Sequence, residues 1–347
     1  MSDVLIWTLV AVVATVIIWR GSGLLESASE RLAAYYQLPD IVQGAVIVAV
    51  GSSFPELSTT VISSLVHGEF ELGVAAIVGS ALFNILVIPA LSGLASREPL
   101  KANRDLIYKE AQFYMIAVAV LTLTFSFAVI YQPLPSDTDG AIRGELTRYI
   151  ALIPVALYGL YLFVQYQDTL DHEGAVDTRE IRPGREWGML ALSLLVIVIG
   201  VEGLVRAAIN FGEIFNTPSF LWGITVVAAG TSIPDAFVSI RAARNGRGIT
   251  SIANVLGSNT FDLLVCIPAG VLIAGTAAIN FSIAAPMMAS LTAATVVLFL
   301  MMRTQMTLSK RECVALLVIY VAFLIWISAE SFGVLDWVPS LPPATAN

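Results

Sequence analysis

Charge is scarce in this chain. Only 13% of its 347 residues are Asp, Glu, Lys or Arg, against about 25% in soluble domains, and this excludes an ordinary water-soluble enzyme or binding module. Histidine is rarer still. His67 and His172 both fall in loops, so no histidine pair is available for a transition metal. The two cysteines, Cys266 and Cys313, lie in apolar runs and read as small apolar filler, not as a disulfide. Basic residues are outnumbered 18 to 26, for a net charge of −8, which argues against nucleic acid as a partner. Long polar stretches are also missing. The most extended, residues 167–186 (QDTLDHEGAVDTREIRPGRE), is too short to fold as a domain. No alternating apolar and polar strands occur, which argues against a transmembrane β-barrel. No basic segment precedes the first apolar run, so that run is expected to stay as a span instead of being cleaved.

What remains is apolar: 57% of the chain. A helix needs about 20 such residues to cross a bilayer, and ten runs qualify. They are 4–19, 41–66, 72–95, 111–131, 149–166, 187–205, 220–240, 249–274, 281–302 and 313–329. The chain therefore reads as an all-α integral membrane protein with ten transmembrane helices. With an external N-terminus, fifteen of the 18 basic residues fall in internal loops and only Arg143, Arg148 and Arg206 outside. Basic residues accumulate on the cytoplasmic side, so both termini are expected to be external.

Two stretches within the spans are the same stretch. PDIVQGAVIVAVGSSFPE (39–56) aligns with PSFLWGITVVAAGTSIPD (218–235) at seven identical positions, among them Gly51/Gly230, Ser53/Ser232 and Pro55/Pro234. GSALFN (79–84) aligns with GSNTFD (257–262). Five spans precede the linker and five follow, so the copies enter the membrane from opposite sides. Inverted repeats of this kind carry midplane binding sites in secondary transporters. Pro55 and Pro234 cannot donate to the carbonyls of Gly51 and Gly230, which frees oxygens deep in the membrane. Each block also pairs a hydroxyl with an acid or amide at i, i+4: Ser52 with Glu56, Ser80 with Asn84, Thr231 with Asp235, Ser258 with Asp262. On a regular helix such pairs share a face. The result is an all-oxygen site, suited to Na⁺, Ca²⁺ or Mg²⁺, and its many flexible ligands favour Ca²⁺. No Lys or Arg lies in the spans of Glu56, Asp235 or Asp262 to neutralise them, and a charge at that depth costs at least ~2.5 kcal/mol. Ser and Thr alone say less, since in membrane helices they commonly bond their own backbone. Glu202, four residues before Arg206, reads as a structural ion pair.

With their partner blocks, GSSFPE and GTSIPD resemble the two α-repeats of the cation/calcium antiporter superfamily, best known through the sodium/calcium exchangers. The resemblance covers both halves and includes WRGSGLLESASERLAAYYQLPD before the first repeat. It implies two inverted five-helix halves, residues 1–166 and 187–337, joined by a cytoplasmic linker at 167–186 and followed by a disordered tail at 338–347. Position by position it implies cation ligands at Ser52, Glu56, Ser80, Asn84, Thr231, Asp235, Ser258 and Asp262. It further implies alternating access, with the first and sixth helices and their glycines sliding over the core. The chain is then an antiporter and not an enzyme, a monomer in a prokaryotic plasma membrane. Ca²⁺ and Na⁺ are its cargo, and no cofactor is expected.

Ser52 stands where Thr is commoner, and Asp235 is shorter than the usual Glu. Asp262 occurs in potassium-dependent and in simple members alike, so K⁺ coupling stays open. A proton/calcium antiporter is the nearest alternative, because a buried carboxylate can take H⁺ in place of Na⁺. An intramembrane aspartyl protease using Asp235 and Asp262 leaves Glu56 and the whole first repeat unexplained. A passive channel is disfavoured because channels are commonly symmetric oligomers around a pore, whereas this duplication is internal. Asn84 occupies the place that Asp262 holds in the other copy, so the scaffold accepts a neutral amide there, and Asp262 is the member expected to carry a proton.

Overall fold

A computed structural model describes residues 2–36, 49–103, 109–135, 140–169, 182–303, 306–338 and 341. In the first half these form α1 (Ser2–Tyr35), α2 (Ala49–Ser52), α3 (Phe54–Leu65), α4 (Phe70–Ala95), α5 (Ala111–Tyr131) and α6 (Arg148–Thr169). In the second they form α7 (Pro183–Phe215), α8 (Ser219–Trp222), α9 (Ala228–Arg244), α10 (Gly248–Phe261), α11 (Ile267–Ala274), α12 (Phe281–Arg303) and α13 (Lys310–Ser331). A π-turn at Gly223–Val227 joins α8 to α9, and another at Asp262–Cys266 joins α10 to α11. Among the described residues nine helical stretches are long and apolar enough to cross a membrane. The second expected span, 41–66, falls partly outside the described residues, and α2 and α3 are its described part. The all-α membrane reading holds.

Two spans are much longer than hydropathy alone indicates. The first does not stop at Trp19 but runs to Tyr35, because apolar and small residues keep helical spacing past the charges: Gly21, Ser22, Leu25, Ala28, Ser29, Leu32 and Ala33 are all buried. The sixth starts at Pro183, a favoured first-turn proline, and ends only at Asn216, whose left-handed φ of 50° caps it. Each has over 30 residues, about 50 Å of helix against a hydrocarbon core of about 30 Å. They pack on each other, with Gly21 against Ile197 and Gly200 against Ile18 and Ala14. Their contact centres on a small apolar cluster of Ile18, Leu25, Val201 and Leu204, into which Ile62, Leu72, Ala76 and Val227 of the neighbouring elements also pack.

The remaining helices surround α4, which is apolar on every side and 89% buried over its most apolar stretch. Two short antiparallel ribbons close the bundle. Strand β1 (Leu100–Lys101) pairs with β4 (Thr307–Leu308), and β2 (Arg143–Thr147) pairs with β3 (Thr276–Asn280). Each ribbon joins the loop after the third span of one half to the loop after the fourth span of the other. The two pairings exchange under the inverted repeat and sit at opposite ends of the bundle.

Of the expected disordered tail, 338–347, only Val338 and Leu341 are among the described residues. Val338 and Leu341 are buried in the core. The buried Glu330 carboxylate, in the last turn of α13, accepts the backbone N–H groups of Trp337 and Val338 at 3.1 to 3.2 Å and folds the chain back. Of the expected linker, residues 170–181 lie outside the described residues, and its flanks belong to α6 and α7.

Candidate cation site

The site is built where the helices are irregular. The first-repeat helix breaks at Ser53 (φ −94°, ψ 10°), one residue before Phe54 and Pro55 open α3. Ser52 and Glu56 therefore do not stack on one continuous helix face, as the i, i+4 spacing suggests, but flank the break. The second repeat differs. Pro234 lies inside an uninterrupted α9, and the irregularity sits upstream in the π-turn, where the Ala228 N–H reaches back to the Gly223 carbonyl. The other π-turn begins at Asp262, whose carbonyl accepts from Ile267 N–H. Pro268, next in the chain, has no N–H to give, so an i→i−4 ladder cannot continue through it. π-Turns of this kind are common at functional sites.

These irregular segments close on α4. A Cβ at Gly79 would run into the Ile224 carbonyl oxygen and approach the Ala228 Cβ to 2.7 Å. Only glycine lets α4 and the seventh span approach so closely, and this brings Ser80 to the second repeat. Ser80 Oγ lies 2.7 Å from Ser232 Oγ and 3.4 Å from Glu56 Oε1. Asn84 Nδ2 donates to Asn259 Oδ1 at 2.9 Å, and Asn259 in turn donates to the Ala81 carbonyl at 3.2 Å. Ser52 and Ser258 hydroxyls meet at 3.3 Å. Thr231 donates to its own backbone at Ala228, at 3.3 Å, and faces Glu56. Asn84 and Ser258 both face Asp235. All eight residues singled out from the sequence thus belong to one neighbourhood, and all but the half-buried Ser52 are at most 2% exposed.

Its electrostatics are one-sided. Glu56 Oε2, both oxygens of Asp235, Asp262 Oδ2, Asn84 Oδ1 and Ser53 Oγ are buried and take part in no hydrogen bond among the described residues. A buried acceptor without a donor costs several kcal/mol, and more when it is ionised. Three acids at this depth, in no ion pair with Lys or Arg among the described residues, form a set that a bound cation would satisfy. They do not form a three-carboxylate cage: among the described residues no three His, Cys, Asp or Glu side chains gather closely enough to hold one ion. Hydroxyl, amide and carbonyl oxygens must therefore supply the rest of any coordination shell, which is chemistry for Na⁺ or Ca²⁺.

Several neighbours escaped the sequence reading. Ser53 and Ser232 were visible as an identical pair of the repeat, yet the i, i+4 rule pointed past them. Asn259 stands next to Ser258 but opposite Ala81 in the other copy, so the repeat gave no hint of it. Tyr114, whose hydroxyl lies 3.3 Å from Asn259 Nδ2, carried no signal. Cys266 is not mere filler: its thiol approaches Asp262 Oδ1 at 3.7 Å, from four residues on. The Glu202–Arg206 ion pair forms at 2.5 Å and gains His67 at 3.0 Å.

Broken and π-turned helices converging on buried acids across an inverted repeat define the class as a secondary transporter. The family model for sodium/calcium exchanger proteins matches residues 6–167 and 185–329, and the chain belongs to that family. Among relatives, it is 25% identical to sodium/calcium exchanger MaX1 of Methanosarcina acetivorans, over 91% of this chain and 97% of that protein. It is likewise 25% identical to the inner membrane protein YrbG of Escherichia coli, over 75% of this chain and 78% of the relative. Its fold matches a structure of the sodium-calcium exchanger NCX_Mj soaked with Na⁺ and Sr²⁺, with a TM-score of 0.63 at 21% identity, covering 93% of this chain and 98% of the other.

Proposed function

We propose that the protein is a Na⁺/Ca²⁺ antiporter that works by alternating access, with Ser52, Glu56, Ser80, Asn84, Thr231, Asp235, Ser258 and Asp262 supplying the ligands of the exchanged ions. One observation carries the reading: Glu56, Asp235 and Asp262 are buried together without a basic partner, and four of their six oxygens have no donor among the described residues. Three ionised carboxylates carry −3. One Ca²⁺ leaves about −1, whereas three Na⁺ reach neutrality, so the two loads compete for the same oxygens and cannot be held together. That competition is the physical basis of exchange.

Access is supported by a cavity of about 560 Å³ that reaches Asp235 and Ser52 and is lined by Arg241, Arg244 and Asn245. By the basic-residue asymmetry this is the cytoplasmic end, and both termini are external. The glycine-paired α1 and α7 are the elements that slide over the core and reopen the site on the other face. We place the protein in a prokaryotic plasma membrane and treat the monomer as the transporting unit. The halves 1–166 and 187–337 act as one unit across the 167–186 linker.

A second reading, H⁺ or K⁺ taking part in the exchange, is favoured by Asp262 alone, since Asn84 fills the equivalent place in the other half. Proteoliposomes loaded with Na⁺ should accumulate ⁴⁵Ca²⁺ from a Na⁺-free medium. Uptake that follows a proton gradient and ignores Na⁺ would replace the first reading by the second.

A further inference from the structure

The cavity that leads to Asp235 holds oxygens that the α-repeats do not supply. Ser22 and Glu26 of α1 both line it, and their i, i+4 spacing puts them on one face of that helix. The Ser22 side chain is 3% exposed, and its Oγ has no hydrogen-bond partner among the described residues. Glu26 enters no ion pair among the described residues; Glu30 and Arg241 lie within its electrostatic reach. Asp235, within the same reach, offers two unpartnered buried oxygens to the same cavity. The inverted counterpart is built differently. At the repeat's offset of 179 residues Ile18 aligns with Ile197, Gly21 with Gly200 and Leu25 with Leu204, which sets Val201 and Val205 in the places of Ser22 and Glu26. There the nearby acid, Glu202, is already occupied by Arg206 and His67.

Resting on the antiport reading above, we infer that Ser22 and Glu26 form, with Asp235, a second cation site at the mouth of this cavity, a staging site for Ca²⁺ entering or leaving at the Arg241 end. Its ligands come from two bodies. Asp235 belongs to the core and Ser22 and Glu26 to α1, so sliding of α1 dismantles the site, and it exists only while that end is open. A cation at Asp235 then leaves by way of Glu26 instead of directly into water. The opposite entrance has no such step, because its acid is neutralised.

The test compares wild type, Glu26→Gln, Glu26→Asp and Ser22→Ala in inverted and right-side-out membrane vesicles, which present opposite faces to ⁴⁵Ca²⁺. Removing one nearby charge should raise the half-saturating Ca²⁺ concentration about tenfold at low salt from the Arg241 face, less at high salt. From the other face it should not change, nor should the rate at saturating Ca²⁺. Glu26→Asp should restore most of the affinity, which a purely structural role for Glu26 does not predict. Ser22→Ala should weaken it about threefold. Equal shifts from both faces, or none, in a protein that still exchanges would overturn the staging site alone. Absence of any Na⁺-dependent Ca²⁺ movement in wild type would overturn the antiport reading and this site with it.

Discussion

Gly79→Ala is a one-methyl test of how the two repeats are held together. The new methyl would overlap the Ile224 carbonyl oxygen and sit 2.7 Å from the Ala228 Cβ, where carbon atoms need about 3.5 to 4.0 Å. Backbone lies on both sides of the contact, so no side chain can rotate away, and α4 must withdraw by about 1 Å. Overpacking of this kind costs about 1 to 3 kcal/mol, which for a chain of this size lowers Tm by roughly 1 to 4 °C. The functional cost is larger in proportion. Ser80 follows Gly79 directly, and an opening of about 1 Å separates its hydroxyl from Ser232, now at 2.7 Å, and pulls Asn84 away from Asp235. Ca²⁺ half-saturation should rise by tenfold or more. Thermal unfolding can be followed with a thiol-reactive fluorophore, because Cys266 and Cys313 are both buried and outside any disulfide. Gly159→Ala is the control: nothing lies within 4 Å of its Cβ position in α6, and a helical Gly→Ala change stabilises by about 0.5 to 1 kcal/mol. If Gly79→Ala matches wild type in both Tm and Ca²⁺ affinity, the close approach of α4 to the seventh span is not what positions Ser80.

Other expectations follow from the acids and from sidedness. Glu56→Gln and Asp235→Asn should each abolish Ca²⁺ exchange at matched expression, since each removes a charge and an anionic ligand. Asp262→Asn should keep measurable Na⁺/Ca²⁺ exchange and change mainly its dependence on pH or K⁺; complete loss there with survival in Glu56→Gln would reverse the assignment. In intact cells Gln132→Cys should react with an impermeant thiol reagent and Arg185→Cys should not, and the opposite pattern would falsify the orientation drawn from the basic residues.

Much of this was legible before any coordinates, for physical reasons. Membrane spans announce themselves because lipid demands long apolar runs, and Glu56, Asp235 and Asp262 stand out because a charge inside such a run is costly. The inverted repeat made the two halves readable from each other. Periodicity failed where the helix itself departs from 3.6 residues per turn. The break at Ser53 separates Ser52 from Glu56, and the π-turn that begins at Asp262 shifts the phase only beyond it, so Ser258 and Asp262 keep their regular spacing while Cys266 does not. Neighbours contributed by other spans, such as Tyr114 and Asn259, have no local signature. The long ends of α1 and α7 escaped a hydropathy window because Glu26, Arg31 and Glu213 interrupt the apolar run without interrupting the helix. The folded-back chain end depended on one carboxylate, Glu330, reaching two backbone amides, which no pattern in VPSLPPATAN announces.

Equilibrium ⁴⁵Ca²⁺ binding to the purified protein, titrated with Na⁺, tests the central claim most directly. If the buried acids hold Ca²⁺ and Na⁺ in competition, bound ⁴⁵Ca²⁺ should fall with a steeper than first-power dependence on Na⁺, and Glu56→Gln should bind almost none. Ca²⁺ binding that Na⁺ cannot displace, or that persists undiminished in both Glu56→Gln and Asp235→Asn, would contradict it.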